Sequence, residues 1–159
     1  MVQITFITVG ALKENYLKDA VSEYKKRLLQ YARVDEVNIK EELIKNEDDK
    51  SEIERALLSE GEKILSSVPK DAKIVSLCVE GQSMDSVALA GRLGEFGDEC
   101  GKIAFIIGSS HGLSPTVKSK SDLKLSVSKL TFPHQLMRPL LYEVIYRSFS
   151  IIAGKRYHK

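Results

Sequence analysis

The run Lys102-Ile-Ala-Phe-Ile-Ile107, entering Gly108 directly, has no polar face. A strand of that kind needs cover on both sides, which fits a parallel sheet packed between helices. Other segments alternate with it in the same sense. Val2 to Val9 is rich in β-branched and aromatic residues and ends at Gly10, the punctuation of a strand. Val34–Ile39 alternates as a short strand. Lys73–Val79 is a mostly apolar run closed by Glu80-Gly81, and Leu123–Leu130 alternates cleanly. Between them lie helical patterns. From Glu14 to Tyr31 the residues Tyr16, Ala20, Val21, Tyr24, Leu28 and Tyr31 recur with the helical period. Ser51–Ser67 predicts a second helix closed by the breaker Pro69, and Ser83–Phe96 a third with Ser83 as N-cap. Ser114-Pro115 suits the start of a short helix, Ser as cap and Pro at the first position. Gln135–Ile152 predicts the last helix, with Pro139 in its first turn or kinking it. Five strands with intervening helices predict a single α/β domain over residues 1–159, a mostly parallel sheet flanked by helices.

Composition narrows the class. Hydrophobic residues make up 43% and charged ones 29%, a balance that suits a globular chain rather than a disordered one. No apolar run approaches the ~18 residues that span a bilayer. The opening Met1-Val-Gln-Ile-Thr-Phe-Ile has no basic n-region and reads as a strand, not an export signal. Cys78 and Cys100 form no CxxC pair, so both are expected as reduced thiols in a cytoplasmic protein.

Net charge is only +2, but its distribution is uneven. Asp35–Glu62 holds 11 acids and 4 bases, net −7, whereas Lys129–Lys159 holds 6 bases and 1 acid, net +5. That asymmetry predicts a basic working face and an acidic remote one.

Ligands of open α/β sheets bind beyond the carboxyl ends of strands. Three such ends stand out: Leu77-Cys-Val-Glu80-Gly81, Ile107-Gly-Ser-Ser-His-Gly112 and Ser128-Lys-Leu-Thr-Phe-Pro-His134. None carries GxxxxGK[ST] or GxGxxG, which argues against a nucleoside triphosphate. His111, His134 and His158 lack metal-ligand spacing, so no metal is expected. There is no GxSxG elbow. The chain closes on Lys155-Arg-Tyr-His-Lys159, an aromatic, an imidazole and three cations after an apolar helix. A tail of that make-up can contact a polyanion, so Lys155, Arg156 and Lys159, with Arg138 on the helix, are candidate RNA contacts. Glu143 and Arg147 are spaced i,i+4 in the orientation that pairs well. Two readings of that pair stand, a surface ion pair or a carboxylate orienting an arginine toward RNA.

The segments Ile106-Ile-Gly108 with Gly112-Leu-Ser114, Leu125-Ser-Val-Ser-Lys-Leu-Thr-Phe-Pro-His134, Glu143-Val-Ile-Tyr-Arg147 and the Tyr157-His-Lys159 ending resemble the RlmH (YbeA-like) family of SPOUT-class methyltransferases. Val9-Gly-Ala-Leu-Lys13 and Glu23-Tyr-Lys-Lys-Arg-Leu28 match as well, and the likeness covers the whole chain. The resemblance implies S-adenosylmethionine-dependent N3-methylation of a pseudouridine in large-subunit rRNA, a C-terminal trefoil knot and a homodimer. It implies cofactor contacts at Leu77, Gly108, Val127, Ser128, Lys129, Leu130, Thr131, Phe132 and Pro133, with His134 shaping that loop. Arg147 oriented by Glu143 would meet the target nucleotide, and Tyr157 and His158 would complete the site, the imidazole being the nearby group suited to proton handling. The small net charge favours assembled ribosomes as substrate over naked RNA. One departure stands out: the family usually has a second glycine where this chain has Ser109, which a left-handed backbone would penalise by ~1 kcal/mol. The alternative is a non-catalytic RNA- or ribosome-binding α/β protein, or a relative with another RNA target; S-adenosylmethionine binding separates a plain binding module from an enzyme.

Overall fold

A computed structural model describes all 159 residues. The elements run β1 (Val2–Val9), α1 (Asn15–Leu28), β2 (Ala32–Ile39), α2 (Lys50–Ser67), β3 (Lys73–Ser83), α3 (Ser86–Cys100), β4 (Lys102–Ile107), α4 (Pro115–Ser119), β5 (Leu123–Ser126) and α5 (His134–Ile152). The five strands form one sheet in the order β2-β1-β4-β3-β5, every pair parallel.

The apolar strands are covered on both faces. Alternate residues of β1 and β4 enter different cores: Ile4, Phe6, Ile103, Phe105 and Ile107 pack with Leu28 of α1, Leu93 and Phe96 of α3, and Leu141 and Ile145 of α5. Ile7, Val9, Ala104 and Ile106 pack on the other side with Ile64 of α2 and Val117 of α4. The period of two along a strand separates these sets. Phe6 stacks on Tyr142 at 3.9 Å between ring centroids, fixing α5 across the sheet.

Several expected boundaries move. Helix α3 starts at Ser86, not Ser83, because the Asp85 carboxylate accepts the Ala88 N–H at 2.8 Å and so caps it. Strand β5 ends at Ser126; the alternation through Leu130 continues in a loop tied by its own serines, Ser126 Oγ donating to Ser128 O at 3.1 Å and Ser128 Oγ accepting from Leu130 N at 3.0 Å. Pro139 lies inside α5, in its second turn, so of its two expected settings the first-turn one does not hold. Strand β3 runs on past Val79, with a register shift in which both Leu77 and Gln82 pair with Leu125. The excess residues form a bulge. Gly81 makes the return possible, since a Cβ there would lie 2.7 Å from the Lys124 carbonyl oxygen.

Candidate active site

The carboxyl ends of β3, β4 and β5 open into one cavity of about 370 Å³, within the range of small-molecule sites. The bulge of β3 brings Leu77, Cys78, Val79 and Glu80 to it. The turn after β4 supplies Gly108 to Leu113, and the loop after β5 supplies Val127, Ser128, Leu130, Thr131 and Phe132. Thus the three strand ends singled out in the sequence meet in space. Of the nine expected cofactor contacts, Leu77, Gly108, Val127, Ser128, Leu130, Thr131 and Phe132 line the cavity, whereas Lys129 and Pro133 are exposed and outside the lining. His134 and Met137 add the first turns of α5, whose N-cap Pro133 provides no side-chain acceptor.

The turn after β4 is closed tightly on itself. Gly112 N donates to Ser109 O at 2.9 Å, and a Cβ on Gly108 would lie 2.2 Å from the Gly112 oxygen. Only glycine fits at 108. The penalty anticipated for Ser109 does not arise, because Ser109 is not among the residues with positive φ.

The lining carries one acid and one lysine, Glu80 and Lys118, paired with each other at 2.5 Å. The Lys118 ammonium, followed by a backbone hydrogen bond, holds the Glu80 carboxyl below its usual range. His111 Nε2 stands 3.9 Å from Glu47 Oε2 at the rim. Lys118, Met137 and Glu47 carried no signal in the sequence, since no motif marks them and only folding brings them to a strand end.

A second cluster forms at the far end of α5. Glu143 Oε1 accepts from Arg147 Nη2 at 2.7 Å and Nε at 3.0 Å, and from the Tyr157 hydroxyl at 3.2 Å. The Arg147 guanidinium lies 4.7 Å from the Tyr157 ring centroid, a cation–π stack. His158 Nδ1 is 3.4 Å from Arg147 Nη1. Tyr157 also meets Tyr146 edge-on at 4.7 Å. The tail is therefore docked on its own helix. Burial, then the Glu143 charge, pushes the Tyr157 phenol up to about 12, so it stays a donor near neutral pH. The Glu143 hydrogen bond raises the Arg147 guanidinium above its ordinary value. Lys155, Arg156 and Lys159 are exposed. Arg138 is not. Only 6% of it is exposed, and it donates to Val9 O at 2.8 Å and to Gly10 O. The expectation that it contacts RNA is corrected: its charge satisfies carbonyls at the end of β1.

The two clusters are separated along one helix. Glu143 follows Met137, the last cavity-lining residue of α5, by six positions and Arg147 by ten, so they lie about 9 and 15 Å along the axis from it. No group of three or more His, Cys, Asp or Glu side chains is placed to hold a metal ion. No helix is long and apolar enough to cross a membrane.

The family model described as a predicted SPOUT methyltransferase matches residues 2–158. A ribosomal RNA large subunit methyltransferase H of Shouchella clausii is 43% identical, over 98% of this chain and 99% of its own length. A putative ribosomal RNA large subunit methyltransferase H of Methanococcus maripaludis is 45% identical over the same shares. A probable methylase family protein of Haemophilus influenzae superposes with a TM-score of 0.58 at 14% identity, across 100% of this chain and 72% of the other. At that identity the likeness shows the fold alone.

Proposed function

Because the chain belongs to the SPOUT methyltransferase family, we propose that it methylates N3 of a pseudouridine in large-subunit rRNA, with S-adenosylmethionine as methyl donor. The observation that carries the reading is the convergence of seven family cofactor positions on one cavity whose lining is largely uncharged. Those residues fit the donor. Leu77, Leu125, Leu130 and Phe132 offer apolar surface for an adenine ring, and Gly108 lets backbone approach it without a side chain. When bound, the donor supplies a sulfonium-activated methyl group.

The residues of this chain handle the acceptor. The N3 imide must lose its proton as nitrogen bonds to the methyl carbon and the carbon–sulfur bond breaks, leaving a neutral thioether. Arg147, held by Glu143, offers hydrogen-bond donors to the imide oxygens where negative charge develops. Tyr157 braces the guanidinium, and in this reading the His158 imidazole, 3.4 Å from Arg147 Nη1, takes the proton. The exposed Lys155, Arg156 and Lys159 hold phosphates.

Arg147 stands about 15 Å along α5 from Met137, the last cavity residue of that helix, too far to serve the cavity of its own subunit in this reading. The working unit in this reading is a homodimer in which one tail completes the partner's cavity. Apolar side chains at the cavity mouth support a covering partner: Val79 is 73% exposed and Leu130 72%. The C-terminal trefoil knot of the family belongs to the same reading. The substrate is the assembled ribosome in the cytoplasm, because a net charge of +2 gives little grip on naked RNA.

Calorimetric titration with S-adenosylmethionine tests the donor site, with Ser128→Trp as a blocked-cavity control. Binding to the wild type and not to the control is the expected result. Absence of binding to both returns the chain to the class of RNA- or ribosome-binding proteins without chemistry. Turnover on whole ribosomes well above that on a free stem-loop is expected; equal turnover contradicts the ribosomal substrate.

A further inference from the structure

We propose that Arg27, in the last turn of α1, is a second arginine fork for the RNA backbone, holding a phosphodiester close to the nucleotide met by Arg147. The inference rests on the methyltransferase reading and extends its RNA site from α5 to α1. Arg27 repeats the construction of Arg147 on the neighbouring helix. Glu23, four residues earlier, accepts the Arg27 Nε–H at 2.8 Å, as Glu143 accepts that of Arg147 at 3.0 Å. The Arg27 guanidinium lies 5.4 Å from the Tyr24 ring centroid and 5.9 Å from that of Tyr146, as the Arg147 guanidinium lies on Tyr157. The ion pair itself adds little stability, because its side chains are 42% and 54% exposed. What the carboxylate and the rings do is hold a planar group in one attitude, so that less freedom is lost when it binds.

The two arginines differ in what they leave free. Arg147 commits Nε and Nη2 to Glu143, and its Nη1 stands beside His158. Arg27 commits Nε alone, and both its Nη groups lack a protein acceptor. Two such N–H groups side by side match two phosphate oxygens. The sites are joined by stacked rings. From the Arg27 guanidinium to Tyr146 is 5.9 Å, from Tyr146 to Tyr157 4.7 Å, and from Tyr157 to the Arg147 guanidinium 4.7 Å. The guanidinium groups are no farther apart than those three steps together, a span of a few nucleotides. Charge fits the same occupant. The last turn of α1 carries Lys25, Lys26 and Arg27; Lys25 is paired with Glu36, which leaves Lys26 and Arg27 as its open cations. Two copies of the chain set against each other on this face would oppose like charges, whereas RNA supplies the acceptors that Arg27 lacks.

The test uses the full-length protein and whole ribosomes, read by methylation kinetics and by equilibrium ribosome binding over a range of salt. Arg27→Met keeps an apolar stem on the rings and removes the fork. It is expected to raise KM for ribosomes about tenfold, with kcat within about threefold and S-adenosylmethionine affinity unchanged. The slope of log binding constant against log salt should fall by about one. Arg27→Lys restores the charge without the fork; it should recover the slope and about half of the loss in log KM. A ribosome affinity and salt slope equal to the wild type in Arg27→Met overturn the proposal and leave Arg27 as packing on the tyrosines. So does a loss of ribosome binding that follows dissociation of dimers in the ultracentrifuge, which would assign Arg27 to a second copy of the chain. If Arg27→Met does not fold, Arg27→Gln takes its place in the same measurements. A wild type that binds ribosomes without methylating them refutes the methyltransferase reading, and the salt slopes then decide the role of Arg27 separately.

Discussion

Arg147 is gripped from two sides, by the Glu143 carboxylate at 2.7 Å and by the Tyr157 ring at 4.7 Å. Its direction is thus set in advance, as the proposed role of transition-state donor requires. Glu143→Gln keeps the shape and removes the charge. It is expected to cut kcat by about a hundredfold with cofactor affinity unchanged; equal losses in both would assign Glu143 to folding. Glu60 makes a pH prediction of the opposite kind to most carboxylates. Its pKa is raised in the folded state, so the folded protein holds that proton more tightly than the unfolded chain. The charged form is a stability cost, absent below the unfolded value and growing as pH rises through the raised folded one. The Tm of Glu60→Gln minus that of the wild type should climb from pH 4 to pH 7; a flat difference contradicts a raised Glu60 carboxyl. Arg138→Met is expected to lose about 1–3 kcal/mol of stability, since the Val9 and Gly10 carbonyls lose their donor. The salt dependence of RNA binding should stay as it was; a slope reduced by about one would return Arg138 to the RNA face. Charge alone did not reveal the buried place of Arg138 in the sequence, because its partners are backbone atoms well over a hundred residues away.

At the scale of elements, the strand ends decide the site. The bulge in β3 aims Glu80 and Val79 at the cavity, and it depends on Gly81 approaching the Lys124 carbonyl. Gly81→Ala is therefore expected to weaken S-adenosylmethionine binding with little loss of helix content by circular dichroism, because the clash sits at the bulge and not in a helix. Affinity equal to the wild type would show that the bulge does not shape the cavity. Strands and helices were legible in the sequence because two apolar periods, two and 3.6, are written into the side chains. Their ends were less so. Ser83 and Asp85 are both acceptable caps on composition, and only the chain's path past β5 selects Asp85. The alternation from Leu123 to Leu130 belongs to a strand and then to a loop with one side in the cavity. A period of two does not distinguish these.

For the whole molecule, the resemblance supplied expectations that local pattern could not: that the strand ends share one ligand, and that the C-terminal tail takes part in the site. Lys118 and Met137 stayed invisible because only tertiary contacts, without a motif, bring them to the cavity. In the proposed reading a cavity and a tail site about 15 Å apart along α5 work together across two copies of the chain. Mixed dimers test it most directly. A Ser128→Trp variant has a blocked cavity and an intact tail; a variant lacking Tyr157–Lys159 has the reverse. Each alone should be inactive on ribosomes. Mixed in equal amounts and allowed to exchange subunits, half of the dimers are hybrids with one intact site of two, so activity should return to about a quarter of the wild-type value. A mixture as inactive as its components would contradict the shared site and place both halves of the chemistry within one chain.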